Sequence, residues 1–186
     1  MTIQAVLRRS IEREPGYPGV GATRAALLDG APLPPGWNHL RHSRPVGHGQ
    51  AALDAAGECV LGWGMHRGAG LTVLAQGPRA EVGCTVVVGI GVGRARLLAP
   101  CRVIWTVEEP DRRGFGYAAL PGHPELGEEA FLVSRDADGE VTCSVVAFSR
   151  PGRWFTRLAS PAVILGQRLA VRGYARSVHR AAVRSR

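Results

Sequence analysis

Between Leu71 and Phe148 the chain reads as a run of short alternating segments broken by turn residues, and one long amphipathic helix follows them. The segments are Leu71–Ala75, Cys84–Ile90, Cys101–Glu109, Gly114–Leu120, Glu128–Ser134 and Glu140–Phe148. Period-two alternation puts one side of each on a core and the other side elsewhere. In the third segment Cys101, Val103, Trp105 and Val107 are expected on one face, opposite Arg102, Ile104, Thr106 and Glu108. Pro110-Asp111 and Asp138-Gly139 supply turn chemistry between neighbours, so consecutive segments should pair as antiparallel hairpins. Trp37–Val46 reads as a further extended stretch, which brings the count to about seven strands.

The closing helix has clear boundary signals. Ser160 suits an N-cap and Pro161 the first helical position. At 100° per residue, Val163, Ile164, Ala170, Val171, Tyr174, Val178, Ala181 and Ala182 share an apolar face with Gln167 in its middle. Arg168, Arg172, Arg176, Arg180 and Arg184 lie opposite, with Leu165, Leu169 and Val183 intruding. Only a sheet offers enough surface to cover such a face, so the expected fold is α+β of the helix-grip, START-like kind. An antiparallel sheet of about seven strands wraps the C-terminal helix, and a cavity can remain between them. One domain over 1–186 is expected, with a helical lead-in over 1–36 and sheet plus C-terminal helix over 37–183. Within these, Ile3–Arg13, Thr23–Leu28 and Gln50–Met65 read as helical.

Composition narrows the function classes. The chain has 186 residues and a formal net charge of +8, and every basic residue is an arginine. Up to Glu140 the arginines and acids nearly balance; beyond it there are nine arginines and no acid. The excess therefore belongs to the last fifth of the chain, and five of its nine arginines lie on the C-terminal helix, where cations also suit the helix dipole. Exposed aromatics for base stacking are missing from that face, so no nucleic-acid partner is expected. Peripheral contact with an anionic membrane surface through the arginines is a weaker reading. Cys59, Cys84, Cys101 and Cys143 are widely spaced among apolar neighbours and suit a reducing, cytoplasmic setting. The N-terminus lacks an apolar secretory core, and no run is long enough to span a membrane.

Several motif-like stretches carry no chemistry. Gly89-Ile-Gly-Val-Gly lacks the sixth-position glycine and following helix of a dinucleotide loop. His39 and His42 point to opposite faces of a strand, and Pro45 and Gly47 intervene before His48, so neither cofactor nor metal is expected. Gly114–Phe131 is the most distinctive stretch. Its Tyr117, His123 and Glu128 are candidate acid–base groups, and Glu128 and Glu129 must face opposite ways. In the alternative structural reading, His123 caps a tight turn and the glutamates pair with Arg102 or Arg150.

Five motifs occur in one order: Tyr17–Arg24, Trp63–Arg67, Ala99–Val103, Gly114–Phe131 and Ala147–Pro151. Together they resemble the bacterial and plant family called domain of unknown function nineteen-ninety, over about Tyr17 to Tyr174. The family pattern Tyr-Gly-Thr-Leu-Pro-Gly-His-Pro is here Tyr117-Ala-Ala-Leu-Pro-Gly-His-Pro, without the threonine hydroxyl. The resemblance implies a group of proteins and no reaction. Two function classes follow from the residues. One is a module binding a small hydrophobic or amphipathic ligand between sheet and helix, bordered by Trp63, Arg102, Tyr117, Gln167 and Tyr174. Gln167 and Tyr174 would sit about 10 Å apart along one helix face. The other is an acid–base enzyme of the cyclase, hydrolase or isomerase kind in the same cavity. With its excess charge confined to the last fifth of the chain, the protein should bind DNA and RNA no tighter than about 1 μM at physiological salt. Fluorescence-anisotropy titrations check this, and a sub-micromolar affinity would overturn it.

Overall fold

The computed structural model describes residues 2–91, 96–152 and 160–184, with side chains of the last stretch from residue 170 onward. Two short helices lead in, α1 (Ile3–Ser10) and α2 (Ala22–Leu28), followed by β1 (Asn38–His48). Two more, α3 (Gln50–Leu61) and α4 (Gly64–Gly68), precede β2 (Thr72–Ala75) and β3 (Thr85–Ile90). Long strands complete the sheet: β4 (Leu97–Glu109), β5 (Arg112–Ala119), β6 (Glu125–Arg135) and β7 (Glu140–Pro151). The chain ends in α5 (Ser160–Arg184). All pairings are antiparallel in the order β1-β7-β6-β5-β4-β3-β2, so the first strand closes onto the last. This is the expected helix-grip layout. The capping of α5 at Ser160 and the orientation of Gln167 lie outside the described side chains.

The helical stretch expected over Gln50–Met65 forms two helices. It breaks at Trp63, whose φ of 64° is left-handed, and the chain restarts as α4. A bulky residue keeps that conformation only where burial holds it, and Trp63 is fully buried against Phe115 and His66. Gly173 then lets α5 approach α4, since a Cβ there would stand 2.9 Å from that of Ala69.

The concave face of the sheet packs on α3, α4 and α5 through Val103, Phe115, Phe131, Val133, Cys143 and Val145. The convex face has a core of its own, and here the expected strand pattern is corrected. Register slips between Val103 and Trp105, opposite Tyr117 and Gly116. The extra residue of this bulge, Ile104, reverses the facing beyond it. Trp105 and Val107 therefore join Ala130 and Leu132 on the convex side, apart from Cys101 and Val103. Tyr17, Leu33 and Trp37 from the lead-in cover Phe148 and Val146 on the same side. Edge-to-face contacts of 5.9 Å and 5.1 Å join Phe148 to Tyr17 and Trp37, and Arg150 stacks over Trp37 at 4.3 Å.

What pins the lead-in is Glu128. Its carboxylate accepts bonds from the Tyr17 hydroxyl (3.1 Å), the Gly21 N–H (2.6 Å), and the Thr23 N–H and hydroxyl (3.0 and 2.7 Å). The Trp105 indole N–H donates in turn to Thr23 Oγ1 at 3.2 Å. Burial and the adjacent carboxylate raise the Tyr17 phenol pKa, so it stays a donor. Four donors around a carboxylate leave no acceptor for an amide N–H₂. Glu128→Gln should therefore cost about 2–3 kcal/mol, read by chemical denaturation.

Candidate functional site

Along the concave face the side chains change size. Near α3 and α4 the sheet carries Phe115 and Phe131, which with Trp63 fill the space completely. Further toward the β4–β6 ends the inward residues are Ala99, Cys101, Ala119 and Ala147. Small residues at these positions cannot meet the helix, and a cavity of about 360 Å³ remains beside Ala170 and Tyr174 of α5. Its wall is mostly apolar, including Leu40, Leu71 and Val88.

The polar groups of the wall converge on one carboxyl. The pleat that sends Glu128 to the convex side sends Glu129 inward, in line with Phe131 and Val133. Gly127 makes the crossing possible at this end of β6. Its φ is 129°, and a Cβ would fall 2.0 Å from the Phe148 carbonyl oxygen. The Tyr117 hydroxyl donates to Glu129 Oε2 at 2.7 Å. Tyr174 and Cys101 flank the pair closely enough to feel the charge of Glu129. Burial, opposed by the Tyr117 bond and assisted by the Glu125 carboxylate, pushes the Glu129 pKa up to about 7.

Behind Tyr117 stands His66 of α4, fully buried among rings, with Tyr174 at 5.1 Å and Phe131 at 5.4 Å. Its Nε2 lies 3.5 Å from the Tyr117 oxygen, while Nδ1 has no partner. Because Tyr117 spends its proton on Glu129, His66 can only donate through Nε2–H and leaves Nδ1 as the bare acceptor. Burial pulls its pKa down to about 3, so the imidazole is neutral.

The expected site residues separate into those at the cavity and those away from it. Tyr117 and Tyr174 line it, and His123 stands in its wall. Nδ1 of His123 accepts the Glu125 N–H at 2.9 Å, the turn-capping arrangement. Glu128 borders the cavity, but its carboxyl is corrected to the convex side, where it bonds the lead-in. Arg102 is corrected likewise. Facing the convex side next to the inward Cys101, it holds the end of α1 through the Ser10 and Arg13 carbonyls and pairs with Glu14 at 3.1 Å. Trp63 is core behind the cavity. The glutamates Glu128 and Glu129 take hydroxyl and N–H donors as partners, where the alternative reading expected Arg102 or Arg150. The groups missed from sequence are Glu129, His66 and Cys101. Parity with Phe131 and Val133 could have picked Glu129; nothing local could have picked His66.

The family model for the domain of unknown function (DUF1990) matches residues 16–177. The chain belongs to that family. A relative in Deinococcus radiodurans, a UPF0548 protein, is 38% identical over 191 residues, covering 97% of this chain and 93% of its own. Solved structures add the fold. A norcoclaurine synthase of Thalictrum flavum, in complex with a transition state analogue, superposes with a TM-score of 0.57. It has 11% identity and covers 80% of this chain and 95% of its own. A protein of Thermus thermophilus gives 0.55 at 10% identity, covering 78% and 97%. Ala119 falls on the cavity wall.

Glu129 and His66 give opposite pH signatures. Glu129 keeps a proton in the folded state that the unfolded chain, near 4.5, releases. Its contribution is full below pH 4.5 and is lost as pH rises to about 7. His66 binds its proton only when unfolded, so its contribution is present above 6.5 and lost as pH falls toward 3. Glu129→Gln should therefore gain stability relative to the parent as pH rises from 4.5 to 7, measured by denaturation at each pH. A constant offset between the two would be inconsistent with a raised carboxyl.

Proposed function

We propose that the protein binds a small hydrophobic or amphipathic molecule in the cavity between the sheet and α5. The observation that carries this reading is an apolar-walled space of about 360 Å³ with a Tyr117–Glu129 pair as its polar end. Natural cores are filled to crystal-like density, so a space this large, framed by alanines on separate strands, calls for an occupant. The cytoplasm is the proposed setting, supported by four unpaired cysteines. Among the described residues no helix is long and apolar enough to cross a membrane.

Acid–base catalysis in the same cavity is the second reading, favoured by one observation. A carboxyl with a pKa near 7, bonded to a phenol inside an apolar wall, is poised to take or give a proton at neutral pH. In this version Glu129 and Tyr117 are the acting pair. The norcoclaurine synthase shares the helix-grip frame and lends this reading its plausibility as chemistry for such a cavity.

The neutral fluorophore N-phenyl-1-naphthylamine tests the binding reading. Its emission should rise on titration with the protein, and Ala147→Phe, which fills the cavity from β7, should weaken binding by about tenfold or more. Unchanged affinity in that variant would place the fluorophore elsewhere and remove the support.

A further inference from the structure

The cavity is charged against the rest of the molecule. The whole chain carries +8, and its basic residues number 23, all arginine. Yet among the described residues that line the cavity there is no arginine. The ionisable groups there include the carboxyls of Glu129 and Glu125, the phenols of Tyr117 and Tyr174, the thiol of Cys101 and the His123 ring. Every described strand and helix around Glu129 contributes one of these or an apolar side chain. Tyr117 comes from β5, Glu125 from β6, Cys101 from β4 and Tyr174 from α5, with His66 of α4 behind Tyr117. No described cation faces the carboxyl. Among the described residues Tyr117 supplies its one hydrogen-bond donor, whereas a carboxylate accepts about four bonds. Glu129 is only partly covered, and it lines the cavity, so the remaining acceptor sites are reachable from inside it.

Building on the ligand-binding reading, we infer that the occupant is a cationic amphiphile: a protonated amine seated on Glu129 with its apolar body along Leu40, Leu71, Val88 and Ala99. An ammonium supplies the missing donors and the missing positive charge together, and charge-assisted bonds of this kind are the strong ones. An anionic headgroup would meet Glu129, which no described cation faces. A neutral alcohol would satisfy one acceptor site and leave the charge unpaired. The ammonium also fixes the protonation state of the site, because the carboxyl must give up its proton to pair with it. Amine binding is thus coupled to proton release near neutral pH, whereas alcohol binding is not.

Displacement of N-phenyl-1-naphthylamine by decylamine, decanol and decanoate, each below its micelle concentration, reads the preference at pH 8. The expected order is decylamine first, by about tenfold over decanol, then decanoate. That order runs against the global charge, which favours the anion. Glu129→Gln should bring decylamine and decanol within about threefold of each other, each displacement being referred to the variant's own fluorophore affinity. Calorimetry of the unmodified protein in buffers of different ionisation enthalpy should show decylamine releasing protons at pH 7 and almost none at pH 9. Equal displacement by amine and alcohol, a preference that survives Glu129→Gln, or absence of proton release would overturn the amine assignment while leaving the cavity as a binding site. Failure of both the fluorophore and decanol to bind would overturn the binding reading itself, and this inference with it.

Discussion

Glu128 and Glu129 are neighbours on one strand, and the pleat sends their side chains to opposite sides of the sheet. Everything distinctive about the protein hangs on that parity. On the convex side Glu128 accepts four hydrogen bonds from the Tyr17–Thr23 stretch and fastens the lead-in across the sheet. On the concave side Glu129 takes the Tyr117 hydroxyl and gives the cavity its polar end. A shift of one residue in β6 would exchange the two. The saturated carboxylate would then face a cavity short of donors, and the cavity's carboxyl would face a strap that needs an acceptor. Pairing of β6 with β7 along its whole length, and Gly127 at the close approach to Phe148, hold that register.

The electrostatic contrast between the two carboxyls follows from what surrounds them. Glu128 is buried and takes four neutral donors. Among the described residues Glu129 has a single donor and a carboxylate neighbour, and it holds its proton to about pH 7. Burial alone therefore does not decide which glutamate is reactive. The number of N–H and O–H groups within reach does.

Much of the fold was legible in the sequence because its signals are local. Alternation, Asp-Gly and Pro-Asp turns and the helical period of the last element each act over short stretches of chain, and the antiparallel sheet and covering helix follow from them. Trp105 and Val107 were misplaced because a bulge inserts one residue at Ile104, and no local pattern marks where a ladder slips. The site was legible only in part for the same reason. Tyr117 and Tyr174 sit on regular elements whose faces can be counted. His66 reaches Tyr117 through a helix set by a left-handed Trp63, and Arg102 is claimed by carbonyls far back in the lead-in. Contacts of that range leave no trace in periodicity.

The bonds between Glu128 and the lead-in join residues 105 to 111 positions apart. During synthesis Tyr17, Leu33 and Trp37 are made more than a hundred positions before the residues of β6 and β7 that receive them. Until then their apolar surfaces have no cover, and closing so long a loop is slow. The lead-in thus resembles a latch made long before the strands it shuts onto. Its three-layer arrangement exchanges a vulnerable interval during synthesis for a sheet with neither face left bare.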